Sequence, residues 1–540
     1  MRRAIVWSLV LLTVIMSVGL VAGAPTEAVP GGSLDTHDDV SDPPMLGISA
    51  CAETPPPDFA PPDENVLGWY GGYWYNQPID VDTTDGLTQA ELDKVVARSM
   101  ARWEALRCLP FKEDVPVEVI DRETFREEHT SMNVSPETRA FENARAMALF
   151  MVGQDEDAVE VLAANRGESV GGFYSIDRQQ IVLVSGESGE IHVNEPILGH
   201  ELGHALQDQH FGLEGFAGST TDEHNANLGI VEGDVVFTDT VYEAHCDDGV
   251  WAGDCIMPPS DRSPPDLASI GLFLITFQPY SDGPNFVSSI YDAGGWDAVN
   301  AVYDAYPTSS KAVMYPELYS EFTPAHPAFV DRSSDRWDIL DQSHGERFDH
   351  LGEPTLFASL IAPGFDDPTG QSVIEPLQLF NFDHLGDLDP FNPYNYSHEY
   401  TAGWVGDRFV AYAESGVALE DDPALAYTLE VAFEDESSAT AFADAWREHL
   451  TIHGAVEVND ESDAVFEIAD TDRFDGAYHL DRTNSDVLVV FAPTVEELEE
   501  VYSADRVDDE PPAEAIPGFT VGIVAVGLLS AGALLLRRRR

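Results

Sequence analysis

Asn194-Glu195-Pro196-Ile197-Leu198-Gly199-His200-Glu201-Leu202-Gly203-His204-Ala205-Leu206-Gln207-Asp208-Gln209-His210 is the stretch on which the reading of this chain turns. Asn194 is a good N-cap, Glu195 and Pro196 suit a first helical turn, and Gly212 can end the helix after His210. Histidines four apart on a helix face the same way, so His200 and His204 can grip one metal ion. The alternative is a pair of surface histidines on an acidic helix.

A catalytic metal of this kind needs a third protein ligand and an open position for water. Two downstream carboxylates compete for that place. Glu232, in Ile230-Val231-Glu232-Gly233-Asp234, lies in the middle of a helical stretch from about 221 to 244, whereas Glu223 lies near its start. At 3.6 residues per turn they fall on roughly opposite faces, so only one can point at the metal. Glu232 is preferred because mid-helix positions are the more rigid. Glu223 reads as a first-turn carboxylate favoured by the helix dipole. Asn225 and Asp239 share the face of Glu232 and could orient the imidazoles through their second nitrogens, or equally be solvated.

Upstream, residues 172–184 hold two apolar runs around Asp177-Arg178-Gln179-Gln180, a hairpin pattern. Earlier still, Val115 to Ile120 reads as a strand. Leu92, Val95, Val96, Met100, Trp103 and Leu106 form the core stripe of a helix that opens on a capping box, Thr88 with Glu91. The aromatic run 68–75 suggests a strand pair. Downstream, 263–306 is mostly helical and 307–403 is loop-rich. Beyond Gly403 the rhythm changes to strands at 426–433, 465–468, 477–480 and 487–491, with helices at 438–450 and from Thr494, a compact smaller unit. The fold class expected is therefore α+β, with a larger domain over 67–402 and a C-terminal α+β domain over 403–502.

Of 540 residues, 27 are Lys or Arg and 97 are Asp or Glu, a formal charge of −70. Such an excess repels itself unless screened, and multimolar salt shortens the Debye length to about 3 Å or less. The composition reads as halophilic and argues against nucleic acid as a partner, which would require a basic face. Arg2-Arg3, an apolar run and Ala22-Gly23-Ala24 mark 1–24 as an export signal. Residues 25–66 and 503–516 read as acidic linkers. The uncharged stretch 520–536, followed by Arg537-Arg538-Arg539-Arg540, reads as a membrane span with the arginines inside the cell. Four cysteines in an exported chain favour disulfides, Cys246 with Cys255 and, by remainder, Cys51 with Cys108.

His-Glu-Leu-Gly-His-Ala-Leu-Gln-Asp-Gln-His-Phe at 200–211, followed by Val-Glu-Gly-Asp at 231–234, is similar to gluzincin-type metallopeptidases. Segments 67–82 and 86–120, Gly403-Trp404-Val405-Gly406-Asp407-Arg408 and the unit that follows resemble a haloarchaeal surface-protein family carrying this zinc motif, so the likeness covers most of the exported chain. It implies zinc (Zn2+) on His200, His204 and Glu232, Glu201 as general base, a peptide or protein substrate, and an edge strand at 172–184 open to an extended peptide. Pro517-Gly518-Phe519 resembles the PGF-type sorting tail, which implies that an archaeosortase removes residues 517–540 and a lipid then holds the protein on the outer face of the membrane. One departure stands out. Related peptidases show His-Pro-Glu after the metal helices, where this chain reads Tyr315-Pro316-Glu317, so Tyr315 would supply the oxyanion donor in place of the histidine. Arg408 could meet a substrate carboxylate, or form an internal pair with an acidic neighbour.

Overall fold

The computed structural model describes residues 51–502, apart from 131–133, 186–190, 258–266, 343–344, 367–369, 383–385, 387, 390, 459–463 and 470–472, together with 524–525. The export signal, most of the sorting tail and the second acidic linker lie outside the described residues. Among the described residues no helix is long and apolar enough to cross a membrane.

The chain is α+β. A small antiparallel pair, β1 (Trp69–Tyr70) and β2 (Tyr73–Trp74), leads to α1 (Gln89–Arg107). The expected capping box forms, with the Thr88 side chain accepting from the Glu91 amide and the Glu91 carboxylate accepting from the Thr88 amide. Next come β3 (Val117–Asp121), α2 (Arg122–His129), α3 (Pro136–Ala148), α4 (Ala158–Ser169), β4 (Gly172–Ser175) and β5 (Gln180–Ser185). The hairpin β4–β5 is antiparallel and β3 joins β5 in parallel, while the outer edge of β4 carries β13 (Val524–Ala525). Two long helices follow, α5 (Glu195–Phe211) and α6 (Thr221–Asp247), then α7 (Ile270–Val302), which holds Pro279 and Pro284 and breaks at Gly294-Gly295.

The remaining elements are α8 (Ser310–Met314), β6 (Trp337–Ile339), α9 (Glu353–Ile361), α10 (Pro363–Asp366), β7 (Trp404–Glu414), β8 (Leu425–Phe433), α11 (Glu436–Ile452), β9 (Val456–Glu457), β10 (Ala464–Ile468), β11 (Gly476–Thr483), β12 (Asp486–Ala492) and α12 (Val495–Tyr502). Their strands form one antiparallel sheet in the order β6-β7-β8-β12-β11-β10-β9. Its edge strand β6 comes from well before Gly403, and one apolar core runs from α3 and α9 through Phe409, Tyr427 and Trp446. The sheet therefore crosses the boundary expected at 402/403, because the strand that completes it is too short to register in the sequence.

Glycines let the helices that carry the site approach closely. A Cβ on Gly203 would come 2.6 Å from the Trp103 ring, so α1 packs its indole directly onto the backbone of α5. Gly233 of α6 faces Gly283 of α7, where a Cβ would meet backbone at 2.4 Å. The disulfides pair as expected, Cys51 with Cys108 at the end of α1 and Cys246 with Cys255 after α6. The second loop is bound to α5 through Glu195, which accepts from Arg98 (2.9 Å), Arg102 (2.5 Å), Tyr242 (2.9 Å) and the Ile256 amide (2.8 Å). That carboxylate is fully buried and accepts from Ser99 as well (3.2 Å), and these partners fix the first turn of the helix that bears the histidines.

Candidate metal centre

α5 and α6 bring His200, His204 and Glu232 together. The two Nε2 atoms lie 3.1 Å apart, and Glu232 Oε2 lies 3.4 Å from His200 Nε2 and 3.1 Å from His204 Nε2. Ligands about 2.0–2.1 Å from a tetrahedral zinc would stand about 3.3 Å from each other, so the spacing fits. Glu223 lies on the exposed first turn of α6, where its carboxylate accepts from the Ser219 amide and hydroxyl at 2.8 and 2.9 Å.

The protons on the imidazoles support the same conclusion. His200 Nδ1 is 2.6 Å from Asp239 Oδ2, and His204 Nδ1 is 3.0 Å from Gln207 Oε1. Both partners are acceptors, so both Nδ1 atoms carry hydrogen and both Nε2 atoms present lone pairs. Two lone pairs and a carboxylate oxygen then converge with no hydrogen between them, an arrangement that calls for a cation. Without a metal, burial pushes the His200 imidazole down but Asp239 and Glu232 outweigh it and raise it to about 10, so a proton takes the place between the ligands that a cation would fill. Glu232 is raised by burial and lowered more strongly by His204 and His200, to about 2. Of the two residues expected to orient the imidazoles, Asp239 does so. Asn225 instead donates to the Ile275 carbonyl at 2.9 Å.

Glu201 is buried beside the triad and acts electrostatically on His200 and on Tyr280. Tyr280, from α7, lies nearly parallel to the His200 ring with centroids 6.4 Å apart, and its hydroxyl bonds to Glu232. Tyr315 sits elsewhere. Its hydroxyl is 2.9 Å from Glu353 and 2.7 Å from Ser397, in a buried group with Lys311. Arg408 donates to the Pro327 carbonyl at 2.7 Å and lies over the Phe348 ring. Sequence reading missed Tyr280, Gln207, Asp234 and Tyr303. Gln207 was within reach, being one turn beyond His204 on the same face, whereas Tyr280 comes from a helix with no motif of its own.

A family described as Domain of unknown function (DUF8575) matches residues 341–502, the part that holds most of the seven-stranded sheet. No curated protein matches the chain, and no solved structure does.

Proposed function

We propose that the chain is an exported zinc peptidase of gluzincin-like architecture, with His200, His204 and Glu232 as ligands and Glu201 as general base. The observation that carries this reading is the convergence of three lone-pair donors beside a carboxylate that is not one of them. A bound zinc ion would polarise the scissile carbonyl and lower the pKa of an attacking water. Glu201 takes the proton of that water and delivers it to the leaving amine. Asp239 and Gln207 hold the imidazoles in the ligating tautomer. The donor for the developing oxyanion is assigned to Tyr280, because its hydroxyl stands at Glu232 and its ring beside His200, whereas the Tyr315 hydroxyl is placed at Glu353 and Ser397.

Peptide or protein substrates suit the outer edge of β4, which pairs with 524–525 and would be free for an extended peptide once the tail 517–540 is drawn into the membrane or removed. The membrane, through the C-terminal anchor, and an archaeosortase-type enzyme are the further partners, on the strength of the tail sequence. The protein then works on the outer face of the cell membrane.

One observation favours a second reading. His200, Glu201 and His204 have no exposed surface and Glu232 has 1%. A site so enclosed also suits a surface protein that keeps its metal for structural or binding purposes without turnover. Zinc content and cleavage of casein and a peptide library, both in concentrated salt, separate the two. The peptidase reading expects stoichiometric zinc and hydrolysis, with Glu201→Gln keeping the metal and losing about 10²–10⁴-fold in rate. Zinc with no cleavage by the wild-type protein would establish the second reading.

A further inference from the structure

The His204 side of the centre is held differently from the His200 side. His200 meets a carboxylate directly, whereas His204 meets a neutral amide, and an amide can present either end. Something must decide which end Gln207 presents. Its Nε2 lies 2.8 Å from the Val231 carbonyl, 3.3 Å from Asp234 Oδ2 and 2.7 Å from the Tyr303 hydroxyl. A carbonyl and a carboxylate can only accept, so the end facing them is the NH2 group. Tyr303 donates its own hydrogen to Asp234 Oδ2 at 2.8 Å, which leaves its oxygen to accept from Gln207. Arg107 holds Asp234 in place, with Nε on Oδ1 at 2.8 Å and Nη2 on Oδ2 at 3.0 Å. Arg107 is itself fixed by Asn300 at 2.7 Å and by the Trp296 ring below it.

We infer that Gln207 is a positioning residue that sets the tautomer of His204, and through it the competence of the metal centre, its own amide being turned by the Val231 carbonyl together with Asp234 and Tyr303. With its NH2 end committed, Gln207 turns Oε1 to His204 Nδ1, Nδ1 carries the hydrogen, and Nε2 is left as the ligand. Each step follows from which groups can donate and which can only accept. The four helices α1, α5, α6 and α7 thus meet at one decision about one proton, since Arg107 ends α1 and Tyr303 caps α7. The inference rests on the metal-site reading.

Two substitutions at Gln207 test it. Gln207→Leu removes the acceptor on His204 Nδ1, and zinc affinity, measured by competitive titration in concentrated salt, is expected to fall about 10–100-fold while near-ultraviolet dichroism stays native. Gln207→Glu keeps an acceptor for Nδ1 while giving up the NH2 bonds to the Val231 carbonyl, Asp234 and Tyr303, and is expected to bind zinc more tightly than Gln207→Leu. A merely structural role, in which Gln207 only ties α5 to α6, predicts the opposite order. Should Gln207→Leu fail to fold, Gln207→Met, closer in shape, is expected to show the same 10–100-fold loss. Wild-type affinity in the folded Leu or Met variant, or a Gln207→Glu variant no tighter than it, overturns the inference while leaving the metal site intact. A wild-type protein that takes up no zinc overturns both.

Discussion

Glu223 and Glu232 are the same residue type on one helix, yet their surroundings assign them opposite fates. Glu232→Ala removes a buried donor and is expected to cost more zinc affinity than the roughly 10–100-fold typical of an outer partner, while Glu223→Ala leaves affinity near wild type. A titration with the ranking reversed would move the third ligand. Tyr280→Phe is expected to lower turnover by about 10²–10³-fold with zinc retained, whereas Tyr315→Phe should leave turnover within a few-fold, because its hydroxyl serves Glu353. Equal losses in the two variants would contradict the assignment. His326 and His350 stack with centroids 3.4 Å apart and both bond to the Asp407 carbonyl. Burial, with Arg408 nearby, lowers His326 to about 4; burial, then His326 and Arg408, lowers His350 to about 3. Their folded values lie below the ordinary value of about 6.5, so their contribution to stability is complete above pH ~6.5 and is lost as the pH falls toward 4. The Asp407 carboxyl, raised by burial to about 7, acts with the opposite sign, losing its contribution as the pH rises from about 4 through 7. Ring-proton NMR should show both imidazoles still neutral at pH 5. The convergence of His200, His204 and Glu232 was legible because helical spacing fixes which side chains share a face. The partners of the imidazoles were only half legible, since Asp239 follows from periodicity whereas Tyr280 and Tyr303 are brought in by the packing of α7.

At the scale of elements, close approach of backbones decides more than propensity does. α6 and α7 meet at Gly233 and Gly283, next to Glu232 and three residues from Tyr280. Gly233→Ala would force a methyl against backbone that cannot rotate away, and is expected to destabilise the fold by about 1–3 kcal/mol despite the better helix propensity of alanine. Chemical denaturation in concentrated salt reads this directly; a stabilised variant would show that the helices can part without penalty. The same closeness explains a reading failure. The segment Trp404–Glu414 forms the longest strand of the sheet, yet Gly406-Asp407 interrupts its apolar pattern. A bulge absorbs that interruption, Gly406 lies against the Ala325 carbonyl, and Asp407 is buried by accepting from the Leu351 and Gly352 amides at 2.7 and 2.9 Å. Strands with unbroken alternation, such as β8 and β12, fall within a residue or two of where periodicity puts them.

For the whole molecule the charge of −70 sets the working conditions. The melting temperature of the protein is expected to fall steadily as sodium chloride is lowered from multimolar to millimolar, because the carboxylates lose their screening. A melting temperature indifferent to salt would remove that account of the composition. The matched family segment begins at residue 341, just after Ile339 closes β6, so the match and the seven-stranded sheet do not share a boundary. β6 pairs Trp337 with Glu414 and Ile339 with Tyr412, and the Trp337 indole is fully buried. A gene fusion that moved 341–502 alone to a new host protein would arrive with the flank of β7 bare, ready to pair with a second copy of itself. In this chain the closing strand comes from the polypeptide that also builds the candidate metal centre.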